Sequence, residues 1–364
     1  NWDHALQAYF ISRDIREKLG DFSGVAWSYL NIGQLYQSQQ KWGQAIPYFQ
    51  NAVEYSVRSN NRSVIGWAND HLGDVHLELG DKEQSLYFFQ EALKIRRQLP
   101  DKKLLCMNLT SVGEVFKKMG QWVEEISVLE EALYIAEGLN DIQEIADCYL
   151  NLGIANREQN HLEEANRLFE AAKLYMMQSQ NESGVVITTC ALAEIHEASC
   201  EWEKVTACYH DLLSISPNFL SEKRIADLYG RLGNAQYKMG QPETAIETYQ
   251  KGLEIFIKIG DSAGVAYLAL ELGICFEKLG WLSREIETRE LALKAAEKMQ
   301  APDELGNFRV WLADCYSRAE IFDQALQFYS LALVTFEQQK DPEESFKVLE
   351  KMIQIYAKLG DDEK

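Results

Sequence analysis

The chain has 364 residues, 46% of them hydrophobic, and its 56 acidic residues against 36 Lys and Arg give a formal net charge of −20. This acidic balance argues against sequence-independent binding to nucleic acid or to an anionic membrane surface, because both need a cationic footprint. No apolar run approaches the roughly 18 residues that a membrane-spanning helix needs, so we predict no membrane insertion.

One pattern returns in every block from the first to the last, without insertion or deletion. The blocks are 1–40, 41–80, 81–120, 121–160, 161–200, 201–240, 241–280, 281–320 and 321–360. Its clearest marker is a Leu-Gly-like pair at Ile32-Gly33, Leu72-Gly73, Val112-Gly113, Leu152-Gly153, Leu192-Ala193, Leu232-Gly233, Leu272-Gly273 and Leu312-Ala313. A turn residue follows seven positions later, and then come a bulky apolar residue, a small residue, an aromatic residue and a second small residue.

Each block therefore holds two apolar stripes of helical period separated by a turn. Small residues let neighbouring helices approach closely, and aromatic side chains fill the remaining space. The Gly-Asp pairs Gly20-Asp21 and Gly260-Asp261, with Asn140-Asp141 in the same place, predict where one helix ends and the next is N-capped.

This ordered set of a Leu-Gly pair, small residues and aromatic residues resembles the tetratricopeptide repeat along essentially the whole chain. The common repeat has about 34 residues, and we expect the six extra residues to be shared between the two helices. The 40-residue period is similar to Leu-Gly-Asn repeat proteins, kinesin light chains and the arms of some bacterial signalling regulators. The resemblance implies an all-α, right-handed α-α superhelix of about 18 antiparallel helices.

We expect residues 1–364 to form a single solenoid. The sequence begins on a second-type helix, from Trp2 to about Leu19, and stops where another should begin, which predicts a slice of a longer protein. The helix that starts near Trp202 is expected to end about Ser216, where Pro217 introduces a loop that is either a rigid turn or a joint.

Little in the sequence points to chemistry. No phosphate-binding loop, dinucleotide fingerprint or nucleophile elbow is present, so we predict no enzyme activity and no cofactor. None of the seven cysteines forms a Cys-x-x-Cys pair, which favours reduced thiols in a cytoplasmic protein. His196 and Cys200 are four residues apart, but His196 stands in an aromatic position of the repeat, so no metal site is predicted.

Two blocks carry charge at positions that are small or aromatic elsewhere. Glu285 and Arg289 occupy the small and aromatic positions of their block, and Glu125 breaks the small position of another. We predict that Glu285 and Arg289 form an ion pair.

In tetratricopeptide-repeat arrays, the first helices of successive pairs line a concave groove that binds peptides. The resemblance therefore selects a stripe, six and two residues before each Gly of the Leu-Gly pair and one and five after it, which we call the groove stripe. From it we predict that the following residues bind a peptide: Trp27, Asn31, Gln34, Trp67, His71, Asp74, Asn151, Arg231, Asn234, Lys238, Lys278, Trp311 and Arg318. Aromatic anchors would act at one end and carboxylate-pairing cations at the other.

The sequence favours a non-enzymatic scaffold that binds a protein or peptide partner, with the oligomeric state left open. The alternative is the sensor or regulatory arm of a larger signalling ATPase or repeat-fused protease. A third possibility is a repeat phosphatase that responds to peptide pheromones, against which the absence of a distinct N-terminal helical bundle counts.

Overall fold

The computed structural model describes residues 2–215, 220–299 and 302–360. Within these ranges it contains eighteen α-helices and no strand, which confirms the all-α fold class. In the first half they are α1 Trp2–Lys18, α2 Phe22–Ser38, α3 Trp42–Arg58, α4 Arg62–Glu78, α5 Lys82–Arg96, α6 Lys102–Met119, α7 Trp122–Leu139, α8 Ile142–Glu158 and α9 Leu162–Gln178. In the second half they are α10 Glu182–Ala198, α11 Trp202–Ser214, α12 Glu222–Lys238, α13 Pro242–Ile259, α14 Ser262–Leu279, α15 Leu282–Lys298, α16 Pro302–Arg318, α17 Phe322–Gln339 and α18 Pro342–Leu359.

Successive helices begin at a constant interval of half a block, so each block of the sequence pattern holds two helices of similar length. The turns use the residues that the sequence indicates: Gly260 ends α13 in the left-handed conformation at φ +74°. The Asp21 and Asp261 side chains accept hydrogen bonds from the amides of Gly24 at 2.9 Å and Gly264 at 3.0 Å. These N-caps satisfy amides that a helix start leaves without a partner.

Contacts between helices follow chain order, and the chain divides into two units, Asn1–Thr188 and Thr189–Lys364. Even-numbered helices are the first helices of the repeat, and odd-numbered helices are the second. First helices of neighbouring pairs also touch: α2 contacts α4 and α6 contacts α8 in the first unit, and α12 contacts α14 in the second. The first helices therefore share one layer within each unit.

The Leu-Gly pair explains the close packing within a repeat. Gly33 on α2 lies against the Phe49 ring of α3, and a Cβ added to this glycine would lie 2.5 Å from the ring. Gly233 meets Tyr249 in the same way. Phe49 and Tyr249 are fully buried, so the glycine is the space into which the aromatic ring fits.

The remaining sequence predictions concern the chain ends and the loop. Helix α11 ends at Ser214, two residues before the predicted end, and the predicted Pro217 loop lies outside the described residues, as does the segment after Gly360. None of the described helices has the length and apolar character needed to cross a membrane.

Candidate interaction surface

The predicted groove residues all lie on first helices. In the first unit, Trp27, Asn31 and Gln34 are on α2, Trp67, His71 and Asp74 on α4, and Asn151 on α8. In the second unit, Arg231, Asn234 and Lys238 are on α12, Lys278 on α14, and Trp311 and Arg318 on α16. The structure thus brings them together in local groups.

In the first unit, α2 and α4 are joined by a packed polar group. Gln34 Nε2 lies 2.8 Å from His71 Nε2, and the His71 ring stacks on Phe49 and Trp67. Burial, followed by the nearby Arg96 guanidinium, lowers the pKa of His71 to about 4. The imidazole is therefore neutral at pH 7 and holds neighbouring helices together, while Trp27 keeps 39% of its surface exposed.

Beneath this group lies a buried arginine. The Arg96 guanidinium lies 4.7 Å from the centre of the Trp67 ring and forms a salt bridge with Asp70, which also accepts from Asn108 Nδ2 at 2.7 Å. The Trp67 ring therefore packs against a buried ion pair. Asp74 is close to Asp70, and burial, reinforced by that charge, raises the pKa of Asp74 to about 6.

In the second unit, two stripe residues on α12 have internal partners. Asn234 donates to the Tyr267 hydroxyl and accepts from the Tyr249 hydroxyl, both at 2.6 Å, so its amide joins two repeats. Arg231 lies 3.9 Å from Glu197 Oε2, whose other oxygen accepts from Tyr209 at 2.6 Å. The Asn234 side chain is thus hydrogen-bonded within the protein at both its nitrogen and its oxygen.

The other predicted cations of this unit differ in whether they pair with acidic residues of the same chain. Lys238 and Lys278 are exposed, with Lys278 Nζ 4.6 Å from the centre of the Tyr237 ring. Arg318 instead contacts the buried Glu285 and lies 3.5 Å from Glu277. Lys238 and Lys278 are the better candidates for an external carboxylate.

A cavity of about 700 Å³ lies along the first helices of the second unit. Trp311, with 38% of its surface exposed, lines it together with Arg318. Three further lining residues, Lys351, Gln354 and Lys358, belong to α18. The cavity therefore follows α14, α16 and α18, the layer to which the groove stripe belongs.

Sequence reasoning missed the three α18 residues. Lys351, Gln354 and Lys358 lie one full block after Trp311, Asp314 and Arg318, so the stripe continues onto α18. The signal was weak because Met352-Ile353 replaces the Leu-Gly pair there. In the structure, Lys351 Nζ contacts both carboxylate oxygens of Asp314 at 2.8 Å.

The predicted ion pair is confirmed. Arg289 Nε donates to Glu285 Oε1 at 3.0 Å, and Arg318 and the Cys315 thiol reach the same oxygen. Arg289 also reaches Glu277 Oε2 at 2.8 Å. Glu285 and Arg289 are buried, although Glu285 Oε2 has no hydrogen-bond partner among the described residues.

A second cavity of about 660 Å³ lies in the first unit between α6, α7 and α8. Asn151 lines it, as do the stripe residues Met107, Glu114 and Asp147. Glu125 also lines this cavity, with 1% of its surface exposed. A polar cleft thus lies on the first-helix layer of each unit.

His196 belongs to the packing of its own repeat. The side chain is buried, and its Nδ1 lies 2.7 Å from Glu201 Oε2. In the part of the chain that the structure describes, no group of three or more His, Cys, Asp or Glu side chains is placed to hold a metal ion.

Comparisons with known proteins identify the repeat. Family models described as tetratricopeptide repeat match residues 1–98, 145–173 and 226–256. No curated protein matches this chain significantly.

Solved structures agree with the fold. The apo form of RapI aligns with a TM-score of 0.59 over 92% of this chain and 98% of its own, at 14% identity. A signal transduction ATPase with numerous domains from Pyrococcus horikoshii, which has a tetratricopeptide repeat sensor, aligns with a TM-score of 0.54. That match covers 87% of this chain and 50% of the ATPase, at 14% identity. BtubC from P. vanneervenii aligns with a TM-score of 0.51 over 60% of this chain and 92% of its own, at 16% identity.

At these identities the solved structures establish the fold alone. Together with the three family matches, they confirm the resemblance carried by the Leu-Gly pairs. This chain carries tetratricopeptide repeats on an all-α helix-pair fold.

Proposed function

We propose that this chain is a non-enzymatic interaction scaffold that binds an extended segment of a protein partner along its first helices. The observation that carries this proposal is the cleft of about 700 Å³ in the second unit. The cleft is large enough to hold several side chains of a partner, and it lies on the layer that presents the groove stripe. Tetratricopeptide repeats support a protein-interaction role in general, and peptide binding is the specific form we propose.

The cleft combines an apolar anchor with positive charge. Trp311 offers a partly exposed ring for an aromatic or aliphatic side chain, and such anchors contribute much of the affinity at interfaces. Lys358 lies near the C-terminal end of α18 and is exposed, with its Nζ 6.0 Å from the centre of the Phe322 ring. We therefore propose a partner segment with an apolar side chain near a carboxylate.

The first unit supports the same role through different residues. Trp27 is exposed on α2, and Asn151 lines the cleft of about 660 Å³. The free cysteines of the described residues fit a reducing compartment such as the cytoplasm, where we propose that the protein works.

A second candidate is a sensor arm within a larger signalling protein. The structural alignment with half of the P. horikoshii ATPase, which carries a repeat sensor, favours this possibility. The same cleft would then hold a segment of that larger protein instead of a separate partner.

The test begins with selection of a random peptide library on the intact chain, followed by affinity measurements on the selected peptides. We expect Trp311→Ala to weaken binding at least tenfold, because it removes the apolar anchor. Lys358→Ala should weaken binding about threefold, as expected for an exposed charge pair.

Matched controls come from the same unit. Trp281 is 45% exposed and lies outside the cleft lining, and Lys294 is an exposed lysine on α15. Trp281→Ala and Lys294→Ala should leave affinity unchanged. Selected peptides that bind Trp311→Ala as tightly as the wild type would place the binding surface elsewhere and reject the proposal.

A further inference from the structure

One position of the repeat carries a glutamate in two blocks, at Glu125 and Glu285. In the other blocks this position is alanine, serine or valine. The hydroxyl of Ser85, which occupies it on α5, donates to the carbonyl oxygen of Gly73 at 2.8 Å. A side chain at this position therefore points between the two helices of its repeat, at the Leu-Gly pair.

Glu125 is buried there without a partner. Its surface is 1% exposed, and among the described residues no hydrogen bond or salt bridge reaches its carboxylate. The aromatic position of the same block is Leu129, which lies 3.2 Å from a Cβ added to Gly113 and so packs less closely than Phe49, which lies 2.5 Å from a Cβ added to Gly33. The carboxylate lines the cavity of about 660 Å³.

The second unit shows which hydrogen-bond donors can pair with a carboxylate at this position. Four repeats later, Glu285 accepts from Arg289 at 3.0 Å and from Arg318, the last groove-stripe residue of the next first helix. The corresponding residues of the first unit are Leu129 and Glu158. Two guanidinium groups are thus replaced by an apolar side chain and by another acid.

The charges around Glu125 favour a cation. Lys118 is paired with Glu114 at 3.2 Å, and Lys117 attracts the Glu125 carboxylate without a hydrogen bond to it. The charged groups that line the cavity or act on Glu125 are Glu114, Lys117, Lys118, Glu144, Asp147 and Glu158. With Glu125 itself, these make five carboxylates against two ammonium groups and the Arg157 guanidinium, which lies 3.2 Å from Glu158.

We propose that this cavity binds the guanidinium group of an arginine side chain on a partner segment, with Glu125 as its hydrogen-bond acceptor. The proposal rests on the scaffold function and adds the class of side chain that the first unit recognises. A guanidinium group matches a carboxylate through parallel hydrogen bonds, and the Glu125 side chain that would accept them is 1% exposed. The partner's arginine would donate to Glu125 in the way that Arg289 and Arg318 donate to Glu285.

The experiment titrates the full chain with the peptide acetyl-Gly-Arg-Gly-amide and follows the Leu129 methyl signals by NMR. We expect saturable shifts at these methyl groups. The isosteric citrulline peptide, which has the same shape without the charge, should bind at least tenfold more weakly. Equal binding of both peptides would overturn the proposal.

Variants then identify the acceptor. Glu125→Gln should lower affinity for the arginine peptide at least tenfold, whereas Glu124→Gln, the same change at an exposed neighbour, should leave it within twofold. Glu158→Arg places an arginine at the position that corresponds to Arg318. This arginine should pair with Glu125 and so lower the affinity for the arginine peptide. Wild-type affinity in Glu125→Gln, or shifts absent from the Leu129 methyls, would reject the site.

These outcomes are separable from the scaffold test. The arginine peptide probes the first unit, whereas Trp311→Ala probes the second. Arginine binding with no effect of Trp311→Ala would retain this site and reject the cleft of the second unit, and the reverse result would do the opposite.

Discussion

The repeats that contain Glu125 and Glu285 both replace the small residue of the pattern with a glutamate, but the two carboxylates have different surroundings. In the second unit, Arg289 and Arg318 both hydrogen-bond to Glu285, and both also line the cavity of about 700 Å³. In the first unit, Leu129 and Glu158 stand at the two arginine positions, and Glu125 is buried without a partner among the described residues.

The difference shows that a charged residue in the repeat core has no fixed role. Its role depends on two other positions, one helical turn later on the same helix and at the C-terminal end of the next first helix. Where both are arginine, the acid is part of an internal network. Where neither is, the acid lines a cavity, and a buried charge without a partner costs stability.

The largest expected effect on stability comes from breaking the buried network of Glu285, Arg289 and Arg318, which we call the closed network. Glu285→Gln leaves the buried Arg289 without its main carboxylate and should lower the free energy of unfolding by about 3 kcal/mol. Because repeat arrays can open locally, hydrogen exchange of the α14 and α15 amides is the appropriate measurement.

The matched control is Glu277→Gln, which removes the half-exposed partner of the same arginine. Its effect should stay below about 1 kcal/mol, as for exposed pairs. Equal effects of the two substitutions would show that burial of Glu285 is not what makes its pair important.

The next effect has the opposite sign and depends on pH. Burial raises the pKa of Glu125 from 4.5 to about 7. Between these values the folded chain keeps a proton that the unfolded chain has released, so wild-type stability falls as pH rises through this window. Glu125→Gln should therefore stabilise the first unit by about 1–3 kcal/mol at pH 8 and by almost nothing at pH 4.5.

The measurement is urea unfolding of both proteins at pH 4.5, 6 and 8. Glu124→Gln serves as the control, since this exposed neighbour should give a flat difference across the three pH values. A Glu125→Gln difference that does not grow with pH would mean that Glu125 already has a partner in solution.

The sequence predicts the fold well because repetition multiplies a weak signal. Gly33 and Phe49 alone indicate little, but the same pair returns in register at Gly233 and Tyr249 and fixes the helix pairs. Capping residues such as Asp261 then place the turns.

The surface is less predictable because one stripe residue has several possible partners. The pattern predicts Asn234 as a peptide ligand, yet it bonds to Tyr249 and Tyr267. It predicts Trp67 as an aromatic anchor for a peptide, yet this ring packs on Arg96, a residue of α5 that spacing does not connect to it. Such pairings depend on side-chain length and direction, which no periodic pattern encodes.

A smaller effect on stability is expected when an arginine is introduced beside Glu125. Glu158→Arg places a guanidinium where Arg318 stands in the second unit, so the pKa of Glu125 should fall. The loss of stability between pH 4.5 and 7 should then disappear, with a gain of about 1 kcal/mol at pH 8. Glu163→Arg, the same charge reversal at an exposed residue of α9, should keep the wild-type pH dependence.

The smallest effect is expected when the closed network is replaced entirely. The double variant Glu285→Ala with Arg289→Phe restores the alanine and the aromatic residue found at Ala45 and Phe49, of which Phe49 packs against Gly33. A buried ion pair exchanged for well-packed apolar residues is often neutral or stabilising, so stability should remain within about 1 kcal/mol of the wild type. Because Gly273 leaves room for the ring and Arg318 keeps Glu277 as a partner, the double variant should recover what Glu285→Gln alone loses. Hydrogen exchange in α15 that stays as fast as in the single variant would show that this repeat cannot adopt the aromatic packing of its neighbours.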